Sequence, residues 1–446
     1  MKKVLRTLCL VLALAMMLAA FSACGSNKDG GNANSGEWEG VLYEIDPDAV
    51  KNYVFRVSAF RDFGSDPLNH QYADGADVFL AKYPGAKVEY LSIGDHQPEA
   101  IAAAVASGDV WDIQYVFTCS QMPGDIVDGL YEPIDGYFDL NDERINKGTS
   151  SGAYFDGHWY GVSNEVMQEC EYLSYNETLF KENNIKTPHE YYAEGKWNVD
   201  ALDEIVGQLN EKGFKISFNL GHPAFNLKHA TRWNDDYTDV EIVLGSQETR
   251  RYFDILRKWI YEWEINDSTI MHSADRTSAM AAHVIPNLTE RNIISKTDDV
   301  VRYIYCPGIY EDENKPYIDI ADANFMVPSG ANQDMKAASV ELAIEMGMGR
   351  KNYLLDYYKK NMVPEDYDLL MEAMQDERPL ERGFSPDFMY YNFEFVKQMK
   401  TGKPVSTYIS EIESKLETLA EKFHTKLADY RDYTGLSHDE ADETAE

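Results

Sequence analysis

The sequence predicts an α/β protein divided into two or more lobes. Residues 53–117 alternate strand-like and helix-like segments, the pattern of a helix-covered parallel sheet. A second mixture of helix and strand patterns begins near Tyr172. The chain has 446 residues, beyond the roughly 250–300 at which a single hydrophobic core stops growing.

The elements follow in order. Tyr53 to Phe60 sets Val54, Arg56 and Ser58 against Phe55, Val57 and Ala59, the two-residue period of a strand. A helix is expected from Gln71 to Lys82, stopped by Tyr83-Pro84-Gly85. Lys87 to Ile93 reads as a second strand. Pro98 to Ser107 is alanine-rich and helical up to Gly108, and Trp111 to Phe117 is a third strand. Right-handed crossovers would link the three. Further on, Leu202, Ile205, Val206 and Leu209 share one face of a helix over Asp200–Leu209. Phe214 to Leu220 is strand-like, and Arg250 to Trp263 is an aromatic-rich helix. Ile409, Ile412, Leu416, Leu419, Phe423 and Leu427 repeat at spacings of three and four, which predicts a long amphipathic helix. Fewer than three clean heptads favour docking on a lobe over a coiled-coil partner. From Arg431 a polar, acidic tail is expected. No internal repeat is present.

The start of the chain has its own logic. Lys2, Lys3 and Arg6 precede an apolar run from Leu8 to Phe21. That run is short for a membrane span and has the layout of a signal peptide. Phe21-Ser22-Ala23-Cys24 resembles a bacterial lipobox, with Phe21 where leucine is usual. The expectation is a signal over 1–23, cleavage before Cys24 and lipid on that cysteine. An ordinary secretory signal is the alternative. Gly25 to Gly36 is rich in Gly, Asn and Ser and reads as part of a flexible tether over 24–40. More than one acyl chain on Cys24 would anchor the protein stably to the extracytoplasmic face of the cell membrane.

The balance of 41 Lys plus Arg against 76 Asp plus Glu gives a net charge of −35. Such a chain repels nucleic acid, and solvation is the simplest role for its acids. Cys9 lies in the leader. Cys119, Cys170 and Cys306 are far apart, so no disulfide framework or CxxC metal site is present and their pairing stays open. Ser-x-x-Lys, His-Glu-x-x-His and Gly-x-x-x-x-Gly-Lys are absent, so no enzyme, cofactor or metal is expected. A hidden carboxylate pair of a glycosidase is not readable from sequence. The 10 histidines are scattered, against a zinc-uptake role. Asp139-Leu140-Asn141-Asp142-Glu143 lacks the glycine of a calcium loop and reads as a solvated turn.

A series of short phrases resembles the extracellular solute-binding proteins of bacterial ABC importers, of the maltose and oligosaccharide type. Phe79-Leu80-Ala81-Lys82-Tyr83-Pro84 with Val88 is similar to that family's helix end before its second strand. Ser107-Gly108-Asp109-Val110-Trp111-Asp112-Ile113 is similar to its turn into strand three, with Trp111 in place of proline. Tyr131-Glu132-Pro133-Ile134-Asp135 and Asp156-Gly157-His158-Trp159-Tyr160-Gly161-Val162 resemble its next two segments. Tyr172 to Phe180 is similar to its Tyr-Asn signature. Trp197-Asn198-Val199-Asp200, Ala279-Met280 and Phe325 to Ala331 fit later phrases. Their shared order carries the resemblance, which covers roughly residues 53–420.

The resemblance implies a type II periplasmic-binding-protein-like fold: two lobes, each a helix-covered, mostly parallel sheet, with ligand in the cleft between them. The first lobe would take 41–167 and 326–362, and the second 168–325 and 363–430, with the tail at 431–446. Crossings are expected near Val166–Cys170, near Asn324–Ser329 and between Asn361 and Phe384. Lobe closure on ligand would be the functional motion.

The family places ligand contacts at strand ends facing the cleft. Sugar capture needs aromatic faces to stack on pyranose C–H groups, and charged or amide groups to bond the hydroxyls. With 30 Tyr, 19 Phe and 7 Trp, supply is ample. The resemblance points to Phe60, Arg61 and Asp62 after strand one, Phe117 and Ser120 at strand three, and Glu169 before the Tyr-Asn signature. In the second lobe it points to His222, Phe225 and Trp233, and to one of Tyr390 and Tyr391. Plain alternatives are a surface turn at 60–62, a solvated carboxylate at Glu169 and core packing for Trp233. Ala281-Ala282-His283 stands where the family often has Gly-x-Trp, so maltose itself is not implied. The expected function is delivery of an oligosaccharide to the transmembrane subunits of an ABC permease, as a monomer. The alternatives are a peptide, polyamine or polyol on the same scaffold, or a sensor subunit.

Overall fold

The structure, a computed structural model, describes residues 42–59, 62–65, 70–94, 97–117, 122–164, 171–218, 231–265, 276, 278–284, 298–307, 323–373 and 394–434. Within them the chain builds two main sheets. The first lobe opens with β1 (Val54–Ala59), α1 (Gln71–Lys82), β2 (Lys87–Ser92), α2 (Gln97–Ser107) and β3 (Ile113–Phe117). Each lies within a residue or two of its expected place, because local periodicity and the breakers at Tyr83-Pro84-Gly85 and Gly108 act at short range. Next come α3 (Gly124–Val127), the hairpin β4 (Tyr154–Phe155) and β5 (His158–Trp159), and β6 (Gly161–Val162).

The second lobe contains β7 (Glu171–Asn176), α4 (Val199–Glu211), β8 (Ile216–Ser217), the ribbon β9 (Thr231–Trp233) and β10 (Val240–Ile242), α5 (Gln247–Arg257), β11 (Met280–Val284) and β12 (Val301–Tyr305). Helix α5 ends sooner than expected and passes into a π turn over Lys258–Glu262. The chain then returns to the first lobe with β13 (Ala323–Met326) and α6 (Lys336–Asn361), followed by α7 (Pro364–Ala373) and α8 (Val405–Thr434).

The first sheet has the order β2-β1-β3-β13-β6. β1 is parallel to β2 and β3, as βαβ crossovers require. β13 runs antiparallel to β3 and β6, and the strand before it in the chain, β12, belongs to the other sheet. The second sheet, β12-β7-β11-β8, is mixed rather than mostly parallel. β7 is antiparallel to both neighbours, and only β8 and β11 pair in parallel. Here too the strand before β7 in the chain, β6, belongs to the other sheet.

Helix α1 buries Tyr72, Ala76 and Phe79, a three-and-four spacing. It crosses α6 at van der Waals contact. A Cβ on Gly75 would lie 2.7 Å from Met346 Cα, and one on Gly349 would lie 2.6 Å from Gly75 N. Glycine is needed here for close approach. One apolar cluster joins this pair of helices to one face of the first sheet, through Phe55, Val57, Phe79, Phe325 and Leu342. The larger cluster fills the second lobe and reaches Trp111 and Val116 of the first. Each large apolar side chain fully buried there contributes about 1.5–3 kcal/mol.

Helix α8 buries Val405, Tyr408, Ile409, Ile412, Leu416, Ala420, Phe423, Leu427 and Tyr430, with Leu419 at the margin of the stripe. It continues through Thr434, so Arg431 lies inside the helix rather than in a tail. There Arg431 holds Asp156 of the first lobe with bonds of 2.9 and 2.6 Å. No helix among the described residues is long and apolar enough to cross a membrane.

Candidate functional site

The strand registers locate the candidate cleft. In the first sheet β1 ends at Ala59 and β2 at Ser92, which are paired. β3 ends at Phe117, opposite the first residue of β13, Ala323. β6, antiparallel to β13, ends at Val162 on this same edge. In the second sheet β7 begins at Glu171 opposite Val284, the end of β11, and Tyr172 faces Tyr305, the end of β12. The chain therefore passes from the edge of the first sheet to that of the second over residues 163–170, and returns between Tyr305 and Ala323. Carboxyl ends of strands gathered beside a crossing are where α/β sheets bind ligands.

The start of that crossing is pinned. Ser163 N donates to Ser150 Oγ, which donates back to Ser163 O, both at 2.9 Å. Asn146 N also donates to Ser163 O at 3.0 Å. Asn164 Nδ2 donates to Ile344 O of α6 at 2.5 Å. These contacts settle a pattern the sequence carries: Gly148-Thr149-Ser150-Ser151-Gly152 fits the Gly-x-Ser-x-Gly spacing of a hydrolase nucleophile. A nucleophile elbow needs an exposed Oγ between strand and helix. Ser150 is fully buried at the end of a helical turn, and both functions of its hydroxyl are spent on Ser163.

Of the expected contact residues, the side chains of Asp62 and Trp233 are described. Asp62 shapes the loop after β1: Oδ1 accepts from Gly64 N at 2.9 Å and Oδ2 from Ser65 Oγ at 3.0 Å. Phe63 beside it is buried against Tyr72, Tyr90 and Tyr115. That aromatic layer seats the loop at the sheet edge, and the Tyr72 and Tyr115 hydroxyls share a hydrogen bond of 2.9 Å. Trp233 is half-buried, edge-on to Phe423 of α8 at 5.6 Å and tilted against Tyr237 at 6.0 Å. Phe117 closes β3 at the cleft edge by its backbone. Phe60, Arg61, Ser120, Glu169, His222, Phe225, Tyr390, Tyr391 and Cys24 lie outside the described residues, as does the Phe117 side chain.

Ionisable clusters elsewhere serve the fold. Asp366 is fully buried; it accepts from Arg302 Nε at 2.9 Å and Tyr303 N at 2.8 Å, with His189 Nε2 at 3.0 Å. His189 Nδ1 in turn meets the Tyr175 hydroxyl at 2.7 Å. Asp366 thus ties α7 to β12, with His189 lying between it and Tyr175 of β7, at the end of the second sheet away from the cleft edge. Asp112 accepts from the Tyr53 hydroxyl and Arg56 N, both at 2.8 Å, and anchors the start of β3. Burial, and then this bond, push the Tyr53 hydroxyl up to about 12. The Asp139–Glu143 segment puts Asp142 on the Arg144 guanidinium, at 2.6 Å. Among the described residues no group of three His, Cys, Asp or Glu is placed to hold a metal ion. The cleft edges thus offer strand ends, loops and aromatic backing, a geometry suited to noncovalent capture.

No sequence-family model matches the chain, and no curated protein matches its sequence. Solved structures do match its fold. A solute-binding protein of an ABC transporter from Thermotoga lettingae, bound with α-D-tagatose, aligns over 84% of this chain and 100% of its own, at 14% identity and a TM-score of 0.55. An ABC-transporter-associated binding protein from Bifidobacterium animalis subsp. lactis, in complex with β-1,6-galactobiose, aligns over 83% and 98%, at 14% identity and 0.59. UgpB from Mycobacterium tuberculosis, in complex with glycerophosphocholine, aligns over 82% and 98%, at 13% identity and 0.57. With two α/β lobes, two main sheets and alignments over 82–84% of its length, the chain has the fold of ABC-transporter solute-binding proteins.

Proposed function

We propose that this chain is an extracytoplasmic solute-binding protein. It captures a carbohydrate, an oligosaccharide in our reading, and delivers it to an ABC permease from a lipid anchor at Cys24. The observation that carries the reading is the pair of sheet edges meeting at the crossing, which is where such a fold holds its ligand. The sugars in the solved structures of similar fold support the substrate class. Phe60, Phe117, Trp233 and one of Tyr390 and Tyr391 supply ring faces. Arg61, Asp62, Ser120, Glu169 and His222 bond hydroxyls, and Phe225 completes the wall. Binding is noncovalent, by a monomer, without cofactor or turnover.

A thermal-shift screen of residues 37–446 against mono- and oligosaccharides, amino acids, peptides and polyamines tests this. A ligand at 100 times its dissociation constant adds about 2.7 kcal/mol of stability, a measurable rise in melting temperature. A shift with one glycan series is expected. A shift with peptides or polyamines alone overturns the substrate class. A second reading, a polyol or polyol phosphate, is favoured by the glycerophosphocholine in one neighbour, and a shift with glycerol phosphodiesters would select it.

A further inference from the structure

Helix α8 is shared by the two lobes. Its first turns pack in the second lobe, with Tyr408 edge-on to Phe395 at 5.3 Å. Farther along, Phe423 meets Trp233, and His424 Nε2 lies 3.2 Å from Asp239 Oδ1 on the β9–β10 turn. The last turns reach the first lobe. Lys426 Nζ lies 2.6 Å from Asp128 Oδ1, the Tyr430 and Tyr160 hydroxyls are hydrogen-bonded, and Arg431 grips Asp156. Asp236 joins from the second lobe: its carbonyl accepts from Asp156 N at 2.9 Å, and its Oδ1 accepts from the Tyr154 hydroxyl at 3.3 Å. This joint lies where β6 begins. The cleft edge lies where β6, two residues long, ends.

Asp125 of α3 sits under the joint. It is 5% exposed, and its Oδ2 has no hydrogen-bond partner among the described residues. The charged groups facing it are Asp128 just past the end of its own helix, Lys426 of α8 and Glu99 of α2. The buried Tyr131 hydroxyl, equally without a partner, feels its charge. Two acids and an unsatisfied oxygen therefore meet one lysine.

We propose that this joint is a proton-controlled latch, in which protonation of Asp125 strengthens docking of the last turns of α8 on the first lobe and so biases the separation of the lobes. Docked, the carboxylate is buried and its Oδ2 meets no donor; undocked, it is hydrated. Burial first, then Asp128 and Glu99, push its carboxyl from 3.8 up to about 7, against the pull of Lys426. An acid whose value is raised in the docked state favours docking most when protonated in both states. Docking therefore weakens as pH climbs from about 4 to about 7 and is level above that. From pH 6 to pH 8 the docking constant falls by at most about tenfold, because Asp128 and Glu99 stay beside the carboxyl when α8 lifts away. The proposal needs the two-lobed fold and not the identity of the solute.

Amide hydrogen exchange of the full chain, corrected for intrinsic rates, reads docking through peptides covering residues 423–434. Protection there is expected to fall severalfold, at most about tenfold, from pH 6 to pH 8, and to stay level in Asp125→Asn. Lys426→Met keeps the carboxyl but removes the facing cation, so its loss of protection shifts to higher pH. The radius of gyration from X-ray scattering should change with pH in the natural chain and not in Asp125→Asn. A level profile in the natural chain, the same fall in Asp125→Asn, or no movement in Lys426→Met overturns the latch. If Asp125→Asn fails to fold, Lys426→Met decides. A sugar screen without a hit would leave these measurements unaffected.

Discussion

Asn164 lies against Gly347 so closely that a Cβ on the glycine would overlap its Oδ1 and sit 2.6 Å from its Cγ. The contact fixes the last described residue before the crossing onto α6. Gly347→Ala gains up to about 1 kcal/mol of helix propensity but forces the Asn164 amide off Ile344 O. A buried amide without its partner costs about 1–3 kcal/mol. Net destabilisation by urea unfolding is expected, and Asn164→Ala in the same chain should remove it. Equal penalties with and without Asn164 would sink the explanation.

Gly75→Ala is the harder substitution. Its Cβ would overlap the Glu345 carbonyl and lie 2.7 Å from Met346 Cα, both backbone atoms of α6. A backbone cannot rotate aside as a side chain can, so the helices must separate. We expect a loss of about 3 kcal/mol or more, larger than at Gly347, in the same unfolding series.

These tight places show what the sequence made legible. The stripe from Ile409 to Leu427 was readable because helical period is local, and α1 was readable to the residue. The direction of β7 was not, because it is set by where the chain arrives from, not by β7's own residues. The Arg431–Asp156 pair is equally silent, since its partners are 275 residues apart. At the site, sequence named the loop after β1, but not that Asp62 spends carboxylate bonds on Gly64 and Ser65. Nor does spacing alone tell that Ser150 is occupied by Ser163.

Arg144 gathers the acids of the first lobe. It lies 2.6 Å from Asp142, 3.0 Å from Glu341 and 2.8 Å from Glu345, and Lys82 joins the last two. Burial pushes the Asp142 and Glu341 carboxyls up, but bonds from Arg144, aided by Lys82, hold both below their ordinary values. An acid held low adds stability above its ordinary value and loses it as pH falls through the folded one. Arg144→Met is expected to cost about 1–2 kcal/mol at pH 7, after discounting for solvent. The gap to the natural chain should narrow at pH 3. A constant gap across that range would remove the network as its cause.

His158 behaves with the opposite sign. Burial pulls its ring down, but the Asp135 carboxylate at 3.0 Å from Nδ1 outweighs this and holds it above 6.5. A base held high adds stability fully below its ordinary value and loses it as pH rises through the folded one. The ring's NMR titration midpoint should lie above 6.5, and Asp135→Asn should bring it down. A midpoint below 6.5 in the natural chain would show that burial wins.

The proposed sugar site separates contact from packing at two residues. Arg61 follows the end of β1, and our reading gives it a bond to a sugar hydroxyl. Hydrogen bonds to charged groups are worth about 1.5–3 kcal/mol, so Arg61→Ala should weaken glycan affinity roughly tenfold to a hundredfold. Its melting temperature without ligand should hold. Trp233→Ala should lower that temperature as well, because its ring is packed against Phe423 and Tyr237. Calorimetric titration with the glycan found by the screen, beside a thermal melt, reads both effects. Unchanged affinity in Trp233→Ala would make that ring a packing residue alone, and unchanged affinity in Arg61→Ala would move the first lobe's contacts away from the end of β1.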